Sequence, residues 1–282
     1  MTQPFQPHDT PLPATPPHAP APSAGPIFPP TDPSAAVSLR GLTKVYGRKV
    51  AVSPFGLDVP SGSFFGLVGP NGAGKTTTLS MLTGLLRPDA GTAAVHGVDV
   101  WSDPLQAKSL LGVLADGVRL FDRLSGRQLV TYSGRLRGMA ADDVATRTED
   151  LLRVMDLTDA ADKFVVDYSA GMHKKIALAC AMIHAPRVLV LDEPFEAVDP
   201  VSAANIRDIL ADYVAHGGTV LVSSHVMDLV QRMCTHVAVV SDGQLRAAGT
   251  VEEVRGGLSL EERFVDLVGG RGTGEGLSWL HS

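Results

Sequence analysis

The chain has 282 residues, 44% hydrophobic and 19% charged, enough for one large domain or two small ones around a substantial core. Its formal net charge of −6 argues against non-specific nucleic-acid binding, which needs a basic face, and is what ordinary solubility asks. Cys180 and Cys234 lie far apart without metal-ligand spacing, which fits a reduced cytoplasm, and no apolar run approaches the roughly 18–20 residues that cross a bilayer, so work at a membrane would need another chain for the span.

Residues 1–36 hold twelve of the twenty prolines and neither Lys nor Arg. A secretory signal needs a basic n-region and an apolar h-region, and prolines every few residues prevent a helix, so the segment reads as a disordered arm, partly polyproline II. Folded sequence is expected from Val37. Residues 37–40 and 49–52 have the composition of short strands joined through Tyr46-Gly47-Arg48, and Pro60-Ser61-Gly62 turns the chain into the apolar run 64–68.

Next comes Gly69-Pro70-Asn71-Gly72-Ala73-Gly74-Lys75-Thr76-Thr77, which fits G-x-x-x-x-G-K-[ST], the phosphate-binding P-loop. A strand leads into it, and residues 78–82 can continue as a helix. This order aims several backbone N–H groups and the positive end of a helix dipole at one point, which suits a polyphosphate. Lys75 would reach the β- and γ-phosphates, and the Thr76 hydroxyl would ligate Mg²⁺. A glycine-rich turn matching by accident is expected in about one such chain in a hundred at these residue frequencies, before the flanking strand and helix are required.

Beyond it, residues 87–91 read as a turn, 92–100 as a returning strand, 104–110 as a helix and 111–114 as a short strand. From 125 to 185, Leu129, Tyr132, Leu136, Val144, Leu151, Leu152, Met155, Ile176, Ala179, Cys180 and Ile183 recur at helical spacing, which predicts three or more amphipathic helices. Strand sequence resumes over 187–191, where the four residues after Arg187 are all apolar, as in a central parallel strand covered on both faces, and it ends in Asp192-Glu193-Pro194. Carboxylates at the C-terminal end of such a strand stand where open α/β sheets bind ligands. Asp192 suits outer-sphere coordination of Mg²⁺ and Glu193 suits polarising an attacking water, although a single acid at a strand end is more often simply solvated. A helix over 201–216, a strand over 219–223, a helix near 227–234, a strand over 236–240, a hairpin at Asp242-Gly243 and a helix over 260–268 follow, ahead of a glycine-rich end.

Together these motifs resemble the nucleotide-binding subunit of an ABC transporter, from Val37 to about Val268. Tyr168-Ser169-Ala170-Gly171-Met172 stands where that family has its L-S-G-G-Q signature. The resemblance implies that Ser169, Ala170 and Gly171 of one subunit close over ATP held by the P-loop of the other. It also implies that Tyr46 stacks on adenine, that Asp199 is the aspartate coupling the two sites, and that His225 is the switch histidine on the γ-phosphate. Taken alone, Tyr46 would more often be a packing residue, Ser169 a helix cap and His225 a surface histidine. Departures from the pattern are Ala170 and Met172 in the signature, Glu196-Ala197-Val198 in place of S-G-L, and Ala115-Asp116 where a Gln or Glu is expected. Asp116 can still serve Mg²⁺ but is one methylene shorter.

The expected fold is α/β, a P-loop NTPase (RecA-like) core with a mostly parallel sheet, an N-terminal antiparallel β part and a helical insert at about 116–185, with residues 269–282 as a flexible tail. The function so implied is Mg²⁺-dependent ATP hydrolysis driving export. It would be carried out by a homodimer with a separate integral membrane permease, at the cytoplasmic face of the membrane and without nucleic acid. The drug, antibiotic and polysaccharide exporters of prokaryotes are the branch it resembles. The competing readings are a soluble cassette acting on ribosomes or DNA, and a catalytically weak ATP-gated module.

Overall fold

The computed structural model describes residues 32, 34–117 and 119–269. The arm expected over 1–36 and the tail expected over 269–282 therefore lie, but for their inner ends, outside the described residues. In chain order the elements are β1 (Ala35–Tyr46), β2 (Lys49–Val52), β3 (Gly56–Pro60), β4 (Phe64–Val68), α1 (Lys75–Leu82), β5 (Ala90–Val95), β6 (Val98–Asp99), α2 (Pro104–Leu110) and β7 (Leu111–Leu114). Then come α3 (Gly126–Leu136), α4 (Ala141–Val154), α5 (Ala170–Met182), β8 (Val188–Asp192), α6 (Pro200–Ala215), β9 (Thr219–Ser224), α7 (Met227–Met233), β10 (His236–Ser241), β11 (Gln244–Thr250), α8 (Val251–Arg255) and α9 (Leu260–Val268).

Buried backbone groups must be paired, and two sheets do this. In the first, β2, β1, β5 and β6 lie in that order with β3 also on β1, all antiparallel. In the second the order is β11-β10-β4-β9-β8-β7, parallel except for β11 at the edge. The parallel strands are buried on both faces, and the period of two divides their side chains between two cores. Phe65, Leu67, Val188, Val190 and Leu221 pack with α1, α2 and the first sheet. Phe64, Val68, Leu189, Leu191 and Val222 pack beneath α3 to α9. Each fully buried aliphatic side chain of this kind contributes about 1.5–3 kcal/mol relative to exposure.

Helix ends follow local chemistry. Ser125 with Gln128, Thr250 with Glu253 and Ser259 with Glu262 form capping boxes on α3, α8 and α9. Asp199 caps α6, with Pro200 in the first turn where its missing N–H costs nothing.

Several elements differ from expectation. The first strand starts at Ala35, not Val37, and runs to Tyr46. The continuation past Arg40 was hidden by its charge, because Lys44 is neutralised by Asp89 from a distant turn, as Arg40 is by both carboxylate oxygens of Asp58. The single strand expected over 92–100 is a hairpin, since His96 (φ 45°) and Gly97 (φ 79°) make a two-residue turn between Val95 and Val98. Two of the periodic apolar positions, Tyr132 and Leu136, are exposed at 42% and 69%. Tyr132 instead meets exposed Phe121 edge-on, at 5.7 Å between centroids.

After α5, His184 closes the seam between the insert and β7, with Nε2 2.9 Å from the Leu111 carbonyl and 3.1 Å from the Arg137 guanidinium. Burial, and next the Arg137 charge, push its pKa down to about 4. The folded state therefore keeps His184 neutral, while the unfolded chain takes up the proton below the ordinary histidine pKa of about 6.5. This contribution to stability is whole above that value and is lost as pH falls towards 4. Melting temperature should fall between pH 7 and pH 5 more steeply for the wild type than for His184→Gln; parallel curves would remove His184 from the account.

Candidate nucleotide-binding site

The carboxyl ends of β4, β9, β8 and β7 stand side by side, with Val68 opposite Ser224, Ser223 opposite Asp192 and Leu191 opposite Leu114. Segments far apart in sequence thereby reach one rim. Residues 69–77 follow β4, His225 follows β9, Glu193 follows β8 and Asp116 follows β7.

Gly74 at the start of α1 has φ 99°, and a Cβ there would lie 2.5 Å from the Ala51 carbonyl oxygen, so only glycine fits. No side chain caps α1, which leaves its first-turn N–H groups facing the cleft. That cleft, about 430 Å³, is lined by Tyr46, Lys49, Ala51, Pro70 to Thr77, Asp116, Glu193, Glu196 and His225. Tyr46 stands at it half exposed, with Lys44 Nζ 5.8 Å from its ring centroid.

Lys75 is buried, and a buried ammonium needs partners. Its Nζ donates to the Gly69 carbonyl at 2.8 Å and lies 3.5 Å from Glu193 Oε1. The other oxygen, Glu193 Oε2, is 3.1 Å from His225 Nδ1. Glu193 has φ 46°, a backbone conformation unfavourable for a residue with a Cβ. Its N–H donates to Ser223 Oγ at 2.9 Å, and the same hydroxyl donates to Asp192 Oδ1. Asp192 is buried behind the cleft and does not line it.

Of the anticipated site residues, the structure gathers Tyr46, Pro70, Asn71, Gly72, Ala73, Gly74, Lys75, Thr76, Thr77, Asp116, Glu193 and His225 around one space, with Gly69 accepting from Lys75. It does not bring Ser169, Ala170, Gly171 or Asp199 to that space within one copy of the chain. Ser169 caps α5 by accepting from Met172 N–H, and Asp199 caps α6 by accepting from the N–H groups of Val201 and Ser202. The bonds from Ser202 hold the Asp199 carboxyl below the usual range. A Cβ on Gly171 would meet Ser202 Oγ at 2.6 Å and Asp199 Oδ2 at 2.8 Å, so the starts of α5 and α6 are in direct contact. Glu196 and Lys49 line the cleft without having been anticipated, and Ser223 works behind it. The signal for Ser223 is its place opposite Asp192, which only the strand register supplies.

Comparison with known proteins agrees with this geometry. The family model described as ABC transporter matches residues 52–196. The daunorubicin/doxorubicin resistance ATP-binding protein DrrA of Streptomyces peucetius is 36% identical over 228 residues, covering 81% of this chain and 69% of that protein. The Nod factor export ATP-binding protein I of Burkholderia lata is 36% identical over 77% of this chain and 71% of its own length. The linearmycin resistance ATP-binding protein LnrL of Bacillus subtilis is 31% identical over 74% and 67%. Among solved structures, an ATP-binding subunit of an ABC transporter superposes with a TM-score of 0.77 at 25% identity, over 82% of this chain and 99% of that one. Matched at this level over most of its length, the chain belongs to the ABC transporter family, as an ATP-binding and ATP-hydrolysing subunit of the exporter branch.

Proposed function

We propose that the chain works as a homodimer at the cytoplasmic face of the membrane, hydrolysing Mg²⁺-ATP to drive export through a separate integral permease. The observation that carries this reading is the convergence of Lys75, Glu193 and His225 on the cleft at the start of α1. Phosphate oxygens would take the first-turn N–H groups of α1, and Lys75 would exchange the Gly69 carbonyl for the β- and γ-phosphates. Glu193 would accept the proton of the attacking water, with His225 Nδ1 holding the orientation of its carboxylate. Tyr46 would stack on the base. The oxygen donors fit Mg²⁺, since the Thr76 hydroxyl and the Asp116 carboxylate line the cleft and Asp192 stands behind it for contact through water. When bound, the ion would neutralise charge developing on the phosphates.

Ser169 and Ala170 are exposed and do not line the nucleotide cleft of their own copy, which supports a dimer in which each copy's signature closes the other's site. Asp199 would couple the two. The permease would dock where exposed Leu85, Leu105 and Leu136 surround a cleft of about 630 Å³ between α2 and the end of α3. No helix among the described residues is long and apolar enough to cross a membrane. The relatives' names, with drug resistance and Nod factor export among them, support the outward direction.

Glu193→Gln should bind ATP, fail to hydrolyse it and accumulate as a dimer, because the proton acceptor is lost while the phosphates replace the carboxylate as the partner of Lys75. Size-exclusion chromatography with and without Mg²⁺-ATP reads the dimer, and turnover like that of the wild type would reject Glu193 as the base. Asp116→Glu should keep or raise the ATPase rate, whereas Asp116→Ala should lower it and weaken stimulation by the reconstituted permease. Nucleotide affinity should change little in either. If Asp116→Ala equals wild type in both conditions, Asp116 takes no part.

A further inference from the structure

The turn that carries Glu193 is held by a group that the hydrolytic reading does not use. Its carbonyl accepts from Glu196 N–H at 3.3 Å and from Lys174 Nζ at 2.9 Å. Lys174 lies on α5, three residues beyond Gly171, and is half buried. It borders a cavity of about 330 Å³ shared with Asp116, Glu196, Ala170 and His173. Asp116 and Glu196 line the nucleotide cleft as well, so the two spaces share a wall. Left-handed backbone at a non-glycine residue persists only where its surroundings enforce it. At Glu193 the enforcing contacts are Ser223 on the N–H side and Lys174 with Glu196 on the carbonyl side.

We propose that Lys174 is a positioning residue for hydrolysis, tying the N-terminal turns of α5 to the backbone of Glu193 so that the carboxylate's aim follows the signature helix of its own subunit. The proposal rests on Glu193 as general base. Lys174 acts through the peptide carbonyl and does not enter the nucleotide cleft. An N–H donor bearing full charge makes roughly twice as strong a bond as a neutral one, which suits a strained turn. The phosphate contacts of Lys75 and α1 are independent of it, so its loss should act on the chemical step and leave ATP binding intact.

ATPase kinetics of the full-length chain with Mg²⁺-ATP test this, using Lys174→Met, Lys174→Gln and Lys174→Arg with Glu193→Gln alongside. A misplacement near 1 Å costs up to about a hundredfold in rate, so Lys174→Met should lower kcat by about tenfold or more, with KM for ATP and melting temperature near wild type. Gln and Arg keep an N–H donor and should restore most of kcat. If Lys174→Met does not fold, Lys174→Ser, too short to reach the carbonyl, carries the same expectation. Wild-type kcat in the Met or Ser variant beside an inactive Glu193→Gln overturns the positioning role. So does a loss that Gln and Arg share equally and that comes with a lowered melting temperature. Turnover in Glu193→Gln overturns the general-base reading beneath it.

Discussion

The site depends on one constraint, the common direction of β4, β9, β8 and β7. Parallel strands paired in even register end on the same edge, so whatever follows each strand is delivered to one rim. An antiparallel neighbour would have sent Glu193 or His225 to the opposite end of the sheet. The direction is kept by helical crossovers, such as α6 between β8 and β9, that return the chain to the same end of the sheet. The apolar side chains on both faces of these strands are covered by the helices on one side and by α1, α2 and the first sheet on the other. The architecture needed to bury Leu189 on one side and Val190 on the other is thus the same one that assembles the cleft.

Within the cleft, charge is balanced inside the protein. The Lys75 ammonium, the Glu193 carboxylate and the His225 ring form a chain of contacts, closed at one end by the Gly69 carbonyl. Each partner relieves the desolvation of the next, which keeps a cation and an anion in a confined space without an unpaired charge. The backbone beside them carries strain, at Glu193 and again at Ala197, where φ is 57°. Ala197 stands where the resemblance calls for glycine, and the chain adopts a left-handed conformation there despite the Cβ.

Legibility in the sequence followed how local each signal was. The P-loop and the helix Leu260–Val268 depend on neighbours within a few residues and were read directly, whereas the equally local capping boxes at Ser125 and Ser259 went unread. The His96-Gly97 turn was local as well, but His is a poor advertisement for positive φ, and the hairpin was missed. β3 and the outer half of β1 were hidden because their charges are neutralised by residues 18 to 45 positions away. Tyr46, Asp116 and His225 were singled out only through family resemblance, since nothing near them in sequence marks a ligand-facing residue. The bonds of Ser223 and Lys174 to the Glu193 backbone were not legible at all, for each joins elements distant in sequence. Asp199 was read as a coupling residue, and the Asp-Pro pair that makes it a helix cap passed unnoticed.

The contact between Gly171 and the start of α6 bears on how substitutions in the signature are interpreted. Any side chain there must push apart Asp199 and Ser202, so activity lost on replacing this glycine reports steric displacement of α6 before it reports on nucleotide. Ser169 is the cleaner probe. It is exposed, and its hydroxyl makes one 3.3 Å bond, to a helix N–H that solvent can satisfy instead. Two residues apart in one motif, the positions answer different questions: Gly171 reports the fit between two helices, and Ser169 reports what the loop touches.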